Sequence, residues 1–277
     1  MNWDRPADVG RLEYRYVRRG PDYFVVYLSS QTGCAPGLPH VPPDGDRPDA
    51  LRDATLGRLV GQAKTVLDHY RREAQPARTV TSTSWPAAGR WPARRCWPTP
   101  TELLGEFVAA GHRGPAAAAR SRPSCRGRFG GRPLENVFVT HHPDIYYSIY
   151  SMTSGSAAGC RRRRPREGLD RLASWQRALQ GRLRCTTPTS PARTTPGDVH
   201  ALCDALGGRG LMVHVNIVRH NPFDPARHGV GPPEEVIQRS AAVYRARLPN
   251  ARVSVIARVG FDVAASCGMF FGPEARM

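Results

Sequence analysis

PGDVHALCDALGGRGLMVHVNIV, residues 196–218, decides the architecture. It opens on proline, sets Cys203 at helical core spacing with Leu202 and Leu206, and runs into the helix-stopping glycines of 207–210. The run LMVHVNIV (211–218) then reads as a strand. The flanks repeat this alternation. GLDRLASWQRAL (168–179) is a helix ahead of it, and PPEEVIQRSAAVYRARL (232–248) a helix after it, beginning with proline and two glutamates as an N-terminus should. Apolar Val236, Ile237, Val243, Tyr244 and Leu248 line that second helix, and ARVSVIAR (251–258) follows as a strand. Toward the N-terminus, YFVVYLSS (23–30) has the β-branched and aromatic composition of a buried strand. ATLGRLVGQAKTVLDHYRRE (54–73) places Leu56, Leu59, Val60, Ala63, Val66, Leu67 and Tyr70 on one helical face, and ENVFVTHHPDIYYSIYS (135–151) reads as extended. Strands alternating with helices predict a parallel α/β fold.

The 277 residues allow one large α/β domain or two small ones. No apolar run approaches the roughly 20 residues of a membrane span, and MNWDRPADVGRLEYR lacks the pattern of a secretory signal. A soluble, cytoplasmic chain with no membrane partner is the expectation. Seven cysteines without framework spacing argue against a secreted disulfide scaffold. The net charge of +17 invites a nucleic-acid reading, so its distribution matters.

Unpatterned segments interrupt the patterned ones: near 35–50, 81–133, 153–166 and 180–195, all rich in Pro, Gly, Ser, Arg and Ala. They hold Cys96, Cys125, Cys160 and Cys185, and they carry +13 of the +17. Compact α/β domains rarely contain several structureless stretches of this length. Such composition is also what GC-rich DNA yields when read out of frame. The segment 35–49, APGLPHVPPDGDRPD, can be encoded by DNA that, read from the second base of the Pro36 codon, gives Q-A-C-R-M-C-H-L-T-A-T-G-Q. Segments 81–87, 153–160 and 186–196 also admit plausible strand or helix text in a neighbouring frame.

Three landmarks carry a family resemblance. SSQTGC (29–34) is similar to the S-S-Q-x-G-C that opens a C-x-x-x-C-x-x-C cluster motif; VHVNIVRHNPF (213–223) is similar to a V-N-L-I-P-x-N-P strand end; GFDVAASCGMF (260–270) is similar to a D-I-x-A-A-C-G terminal loop. In this order they resemble the RlmN/Cfr-type radical S-adenosylmethionine RNA methyltransferases. The resemblance implies an incomplete (β/α)6-type radical SAM barrel over 23–277, interrupted by the unpatterned segments and preceded by a lead segment, 1–22. It implies an enzyme that methylates an adenine of ribosomal or transfer RNA, with a 4Fe-4S cluster and S-adenosylmethionine as cofactors. RNA and a reducing electron donor are its partners; oligomeric state stays open. Cys34 would be a cluster ligand and Cys267 the methyl-carrying catalytic cysteine. Asn221 matches a residue that contacts S-adenosylmethionine, and Ser148 and Tyr150 fall where the family has another such contact.

The chain departs from the family in two places. The second and third cluster cysteines are Leu38 and Val41 here, the positions where the neighbouring frame reads cysteine. The family's second catalytic cysteine falls on Tyr27, inside a patterned strand, and only about two dozen residues precede that strand. The expectation is therefore a radical SAM protein translated through compensating frameshifts. Its alternatives are a relative acting on a non-RNA substrate, and a basic nucleic-acid-binding protein or inactive remnant without catalysis. Cys203 reads as packing, His141, His142, His214 and His220 as ordinary strand and loop histidines, and the Arg161–Arg164 run as an accident of frame.

Overall fold

The computed structural model describes residues 2–4, 12–20, 23–29, 54–72, 79–85, 128–129, 132–136, 138–139, 144–149, 152, 165–189, 195–220 and 230–257. Its main unit is a four-stranded parallel sheet built from β7 (Ile145–Ser148), β8 (Leu183–Pro188), β9 (Val213–Val218) and β10 (Arg252–Ile256). Helices α2 (Pro165–Leu179), α3 (Pro196–Gly207) and α4 (Glu234–Arg247) connect them in turn. The α/β class with a parallel sheet is thus established. The strands lie side by side in chain order, so each crossover steps in the same direction and no reversal interrupts the sheet.

Alternation along the strands separates two faces. Ile145, Tyr147, Leu183, Cys185, Val213, Val215 and Ile217 join the buried core formed with α2, α3 and α4. Leu169, Leu172 and Trp175 come from α2, Leu202 and Leu206 from α3, and Ile237, Ala241 and Tyr244 from α4. Trp175 and Leu206 are among the largest fully buried side chains.

Local chemistry explains the helix ends. Thr195 caps α3 by accepting from the Asp198 N–H at 3.2 Å, with Pro196 behind it, where a missing N–H has no consequence. Past α3, Gly210 takes φ 61°, a conformation that costs glycine little. On α4, Glu234 and Glu235 sit in the first turn and Arg245 and Arg247 in the last, each opposing the nearer end of the helix dipole. Gln176 fastens the end of α2 to two strand approaches: its amide nitrogen donates to the Gly181 and Met212 carbonyls (3.1 and 2.8 Å), and its oxygen accepts from the Met212 N–H (2.9 Å).

A second sheet contains β1 (Asn2–Asp4), β2 (Leu12–Gly20), β3 (Tyr23–Ser29) and β4 (Thr79–Trp85), in that order. β1, β2 and β3 pair antiparallel, whereas β3 and β4 pair parallel across α1 (Leu56–Arg72). Val26 and Leu28 of β3 pack with Leu59, Ala63, Val66 and Leu67 of α1, the face its periodicity predicts. β5 (Arg128–Phe129) and β6 (Arg132–Pro133) form a separate short pair.

Several expectations need correction. β8, an interior strand of the parallel sheet, lies inside 180–195, one of the segments without periodicity. Six residues are too few to display a period, and LRCTTP shows its alternation only once β7 and β9 flank it. The segments near 81–133 and 153–166 likewise contribute most of β4, the β5–β6 pair and the start of α2. The lead segment 1–22 contains β1 and β2, and β2 hydrogen-bonds to β3, so it belongs to the sheet it was expected to precede. Among the described residues of 135–151, which reads as extended, Ile145–Ser148 is strand, while Leu134–Asn136 is a 3-10 turn.

Candidate functional site

The face of the parallel sheet opposite α2, α3 and α4 is polar. Register places Tyr146, Arg184, His214 and Arg252 in one row across the strands, and Ser148, Thr186, Asn216 and Ser254 in the next row toward their carboxyl ends.

The first row is wired by hydrogen bonds. Asp144, just ahead of β7 and 3% exposed, accepts from Arg184 Nε at 3.1 Å. The Arg184 guanidinium stands 5.5 Å from the centre of the Tyr146 ring, a cation–π distance. Arg184 Nη1 lies 2.9 Å from His214 Nδ1, and His214 Nε2 lies 2.8 Å from Ser254 Oγ. Arginine has no acceptor, so Nδ1 must accept and the imidazole proton must reside on Nε2, donated to Ser254. Burial first, then repulsion by Arg184 and Arg252, pushes the His214 pKa down to about 4, so the ring is neutral at physiological pH.

This wiring limits the chemistry. In a nucleophilic serine site a carboxylate holds the far nitrogen and the near nitrogen takes the serine proton. Here Arg184 stands between Asp144 and the imidazole, and the proton on Nε2 points at Ser254. The network therefore orients groups and does not activate a nucleophile. Its output is a serine hydroxyl whose oxygen is occupied as acceptor and whose own proton is left to donate. Beside it, Asn216 is 7% exposed and its side-chain oxygen has no hydrogen-bond partner.

The carboxyl-terminal rim is tied separately. The Thr189 N–H and hydroxyl both donate to the Val218 carbonyl (2.8 and 3.1 Å), and Thr189 Oγ1 accepts from the His220 N–H (3.1 Å). Arg219 donates to the Ile256 carbonyl at 2.7 Å and grips Glu234 through two nitrogens (3.1 and 2.8 Å). These bonds fix how the chain leaves β9, immediately ahead of Asn221.

Among the residues expected to form the site, Ser148 occupies the last position of β7, in the row of Asn216 and Ser254. Cys34, Tyr150, Asn221 and Cys267 lie outside the described residues, as do His141, His142 and Arg161–Arg164. Cys203 packs in the helix-side core as its spacing implies, and Cys185 is fully buried there with its thiol pushed up to about 12 by burial. Tyr27 is buried in β3, on the face opposite the residues that pack on α1. Asp144, Arg184, His214, Asn216 and Ser254 escaped the sequence reading because they are far apart in the chain. The available signal was polar residues at alternate positions of otherwise apolar strands: His214 and Asn216 in VHVNIV, and Ser254 in RVSVI.

In the cluster motif that SSQTGC resembles, two of the three cysteine positions are Leu38 and Val41 here, and the described cysteines, Cys185 and Cys203, are buried in the helix-side core. Among the described residues no group of three or more His, Cys, Asp or Glu side chains is placed to hold a metal ion. No described helix is long and apolar enough to cross a membrane. No protein-family model matches the chain, and no curated protein matches it.

Proposed function

We propose that this chain is a radical S-adenosylmethionine protein of the RlmN/Cfr type, built to methylate RNA adenine, whose translated form has lost two of its three cluster ligands. The observation that carries the reading is chain order: Cys34, Asn221 and Cys267 come after β3, β9 and β10 in the sequence, and Ser148 is the last residue of β7. In (β/α) barrels the reacting groups gather at that end of the strands. Strands in chain order also support a barrel, because a doubly wound sheet reverses order part-way. β3–α1–β4 adds one parallel unit of the same kind. A polar face opposite the helices fits the interior of an enclosure better than an apolar packing face. The cluster is the group that would cleave S-adenosylmethionine; without its ligands no step through it is assigned to this polypeptide.

The test compares two proteins after anaerobic supply of iron and sulfide. One is the chain as translated; in the other, residues 36–48 are replaced by the frame-restored QACRMCHLTATGQ. The expected outcome is iron and sulfide bound, with reductive cleavage of S-adenosylmethionine, in the restored protein only. A cluster in the chain as translated, or none in the restored one, overturns the proposal, as does a resequenced gene whose codons do not permit the shift.

A second reading is a radical SAM relative with a non-RNA substrate, which Tyr27 favours. It stands where the family's second catalytic cysteine falls, is 8% exposed and offers no thiol to resolve an RNA adduct. Methyl transfer to RNA by the restored protein would eliminate this reading. A basic nucleic-acid-binding role would rest on the unpatterned segments, which carry most of the excess charge.

A further inference from the structure

The buried oxygen of Asn216 has no hydrogen-bond partner, and an unsatisfied buried acceptor costs about 1–3 kcal/mol unless something supplies a donor. Its register partner on the adjoining strand is Ser254. Both project from the face opposite α2, α3 and α4, since His214, two residues before Asn216, reaches Ser254 across that face. The wiring of Ser254 fixes its polarity. Arg184 can only donate, so His214 accepts at Nδ1 and donates from Nε2, and the serine oxygen is taken as an acceptor. The serine proton is therefore directed elsewhere, yet it does not satisfy Asn216. An open acceptor and an open donor thus stand on neighbouring strands, about 4.8 Å apart at the backbone. Asp144 anchors the whole arrangement through Arg184.

We propose that Asn216 and Ser254 form a ligand-binding subsite on the sheet face opposite α2, α3 and α4 that reads a hydrogen-bond donor beside an acceptor, the edge presented by a primary amide or an amino-substituted heterocycle. Asn216 takes the ligand N–H, and Ser254 donates to the neighbouring ring nitrogen or carbonyl. Asp144, Arg184 and His214 are positioning residues: they touch no ligand and act by orienting the serine hydroxyl. The subsite stands on β8, β9 and β10 and needs no iron–sulfur cluster, so it survives or fails independently of the function proposed above.

The test is calorimetric titration of the full chain, as translated, with adenosine and benzamide as probes. Purine riboside, which lacks the amino group, and methyl benzoate, which lacks the amide N–H, are the controls. At least one probe is expected to bind about tenfold more tightly than its control, the usual effect of one hydrogen bond to a buried group. Adenosine alone identifies an amino-heterocycle, and benzamide alone an amide. Asn216→Ala should remove that preference, whereas Ser254→Ala should weaken probe and control alike, and Ser254→Thr, which keeps the hydroxyl, should restore the affinity of both. Arg184→Met should weaken binding and shift the proton between the His214 nitrogens, visible by nitrogen NMR; a merely structural arginine would leave that signal in place. Equal binding of probes and controls, no binding by either probe, a preference that persists in Asn216→Ala, or unchanged affinity in Ser254→Ala overturns the proposal. Ser254 is only half-buried, so its variants keep the test alive should Asn216→Ala not fold.

Discussion

Arg184 and Cys185 are consecutive residues of β8, and Asn216 and Ile217 consecutive residues of β9, yet each pair inhabits two different environments. One face of the sheet is sealed by three helices and apolar. The other carries a charge-assisted chain from Asp144 to Ser254 and an open amide oxygen. The pleat does this by itself: successive side chains leave the strand on opposite sides, so one residue separates an inert thiol from a working guanidinium. The difference teaches where each kind of damage should register. Changes on the helix side should cost stability, and changes on the open side should cost binding and pH behaviour.

The largest effect should come from the helix side. Trp175→Ala removes a fully buried ring and should destabilise by about 3–5 kcal/mol in chemical denaturation, enough to unfold a marginal chain. Gly181→Ala attacks the same place from outside. A methyl group at Gly181 would run into the Trp175 ring, so a loss of about 1–3 kcal/mol is expected from overpacking. Stability close to wild type in both variants would mean the helix side is not the sealed core described above.

On the open side, Asp144→Ala strips Arg184 of its buried carboxylate. The arginine is partly exposed and can reach water, so the cost should be about 1–2 kcal/mol, below the 3–5 of a fully buried pair.

The pH response belongs to the same face. His214 titrates at about 4 when folded, below its ordinary 6.5, so the unfolded chain binds the extra proton first. Stability is then fully present above about pH 6.5 and falls as pH drops from there toward 4. For a partly exposed ring the loss is about 1 kcal/mol after solvent screening. Arg184→Met should narrow that window from its acid side, because one of the two cations that hold the His214 pKa down is gone; proton NMR titration of the ring would report it.

The smallest effect should be at the periphery. Asp170→Asn breaks the exposed Arg209–Asp170 pair and should change stability by less than about 0.5 kcal/mol. A larger value would mean that the boundary between sealed and open faces does not account for where stability resides.

The α1 stripe from Leu59 to Leu67 was legible as a helix because seventeen residues display many turns of one period. α3 was legible from its proline start and glycine stop, and Cys203 from its spacing to Leu202 and Leu206. β8 was not legible. Its identity as a strand depends on two neighbours that hydrogen-bond to it, one of which lies ahead of α2 and the other beyond α3. β2 escaped for a related reason: LEYRYVRRG carries three arginines and becomes a strand through antiparallel pairing with β3.

By itself, the sequence determined the alternation of helices and strands, the α/β class and the apolar positions of α1, α3 and α4. These depend on local periodicity and on identity, which need no partner to be read. Tertiary structure alone decided which strands are neighbours, which face each residue occupies, and that Asp144, Arg184, His214 and Ser254 meet. The reason is distance along the chain. Arg184 lies thirty residues from His214 and forty from Asp144, and a hydrogen bond between such residues exists only after the βα crossovers have set the register. The open oxygen of Asn216 is the plainest case: an asparagine in a strand is ordinary in sequence, and only the surrounding bonds reveal that its acceptor is free.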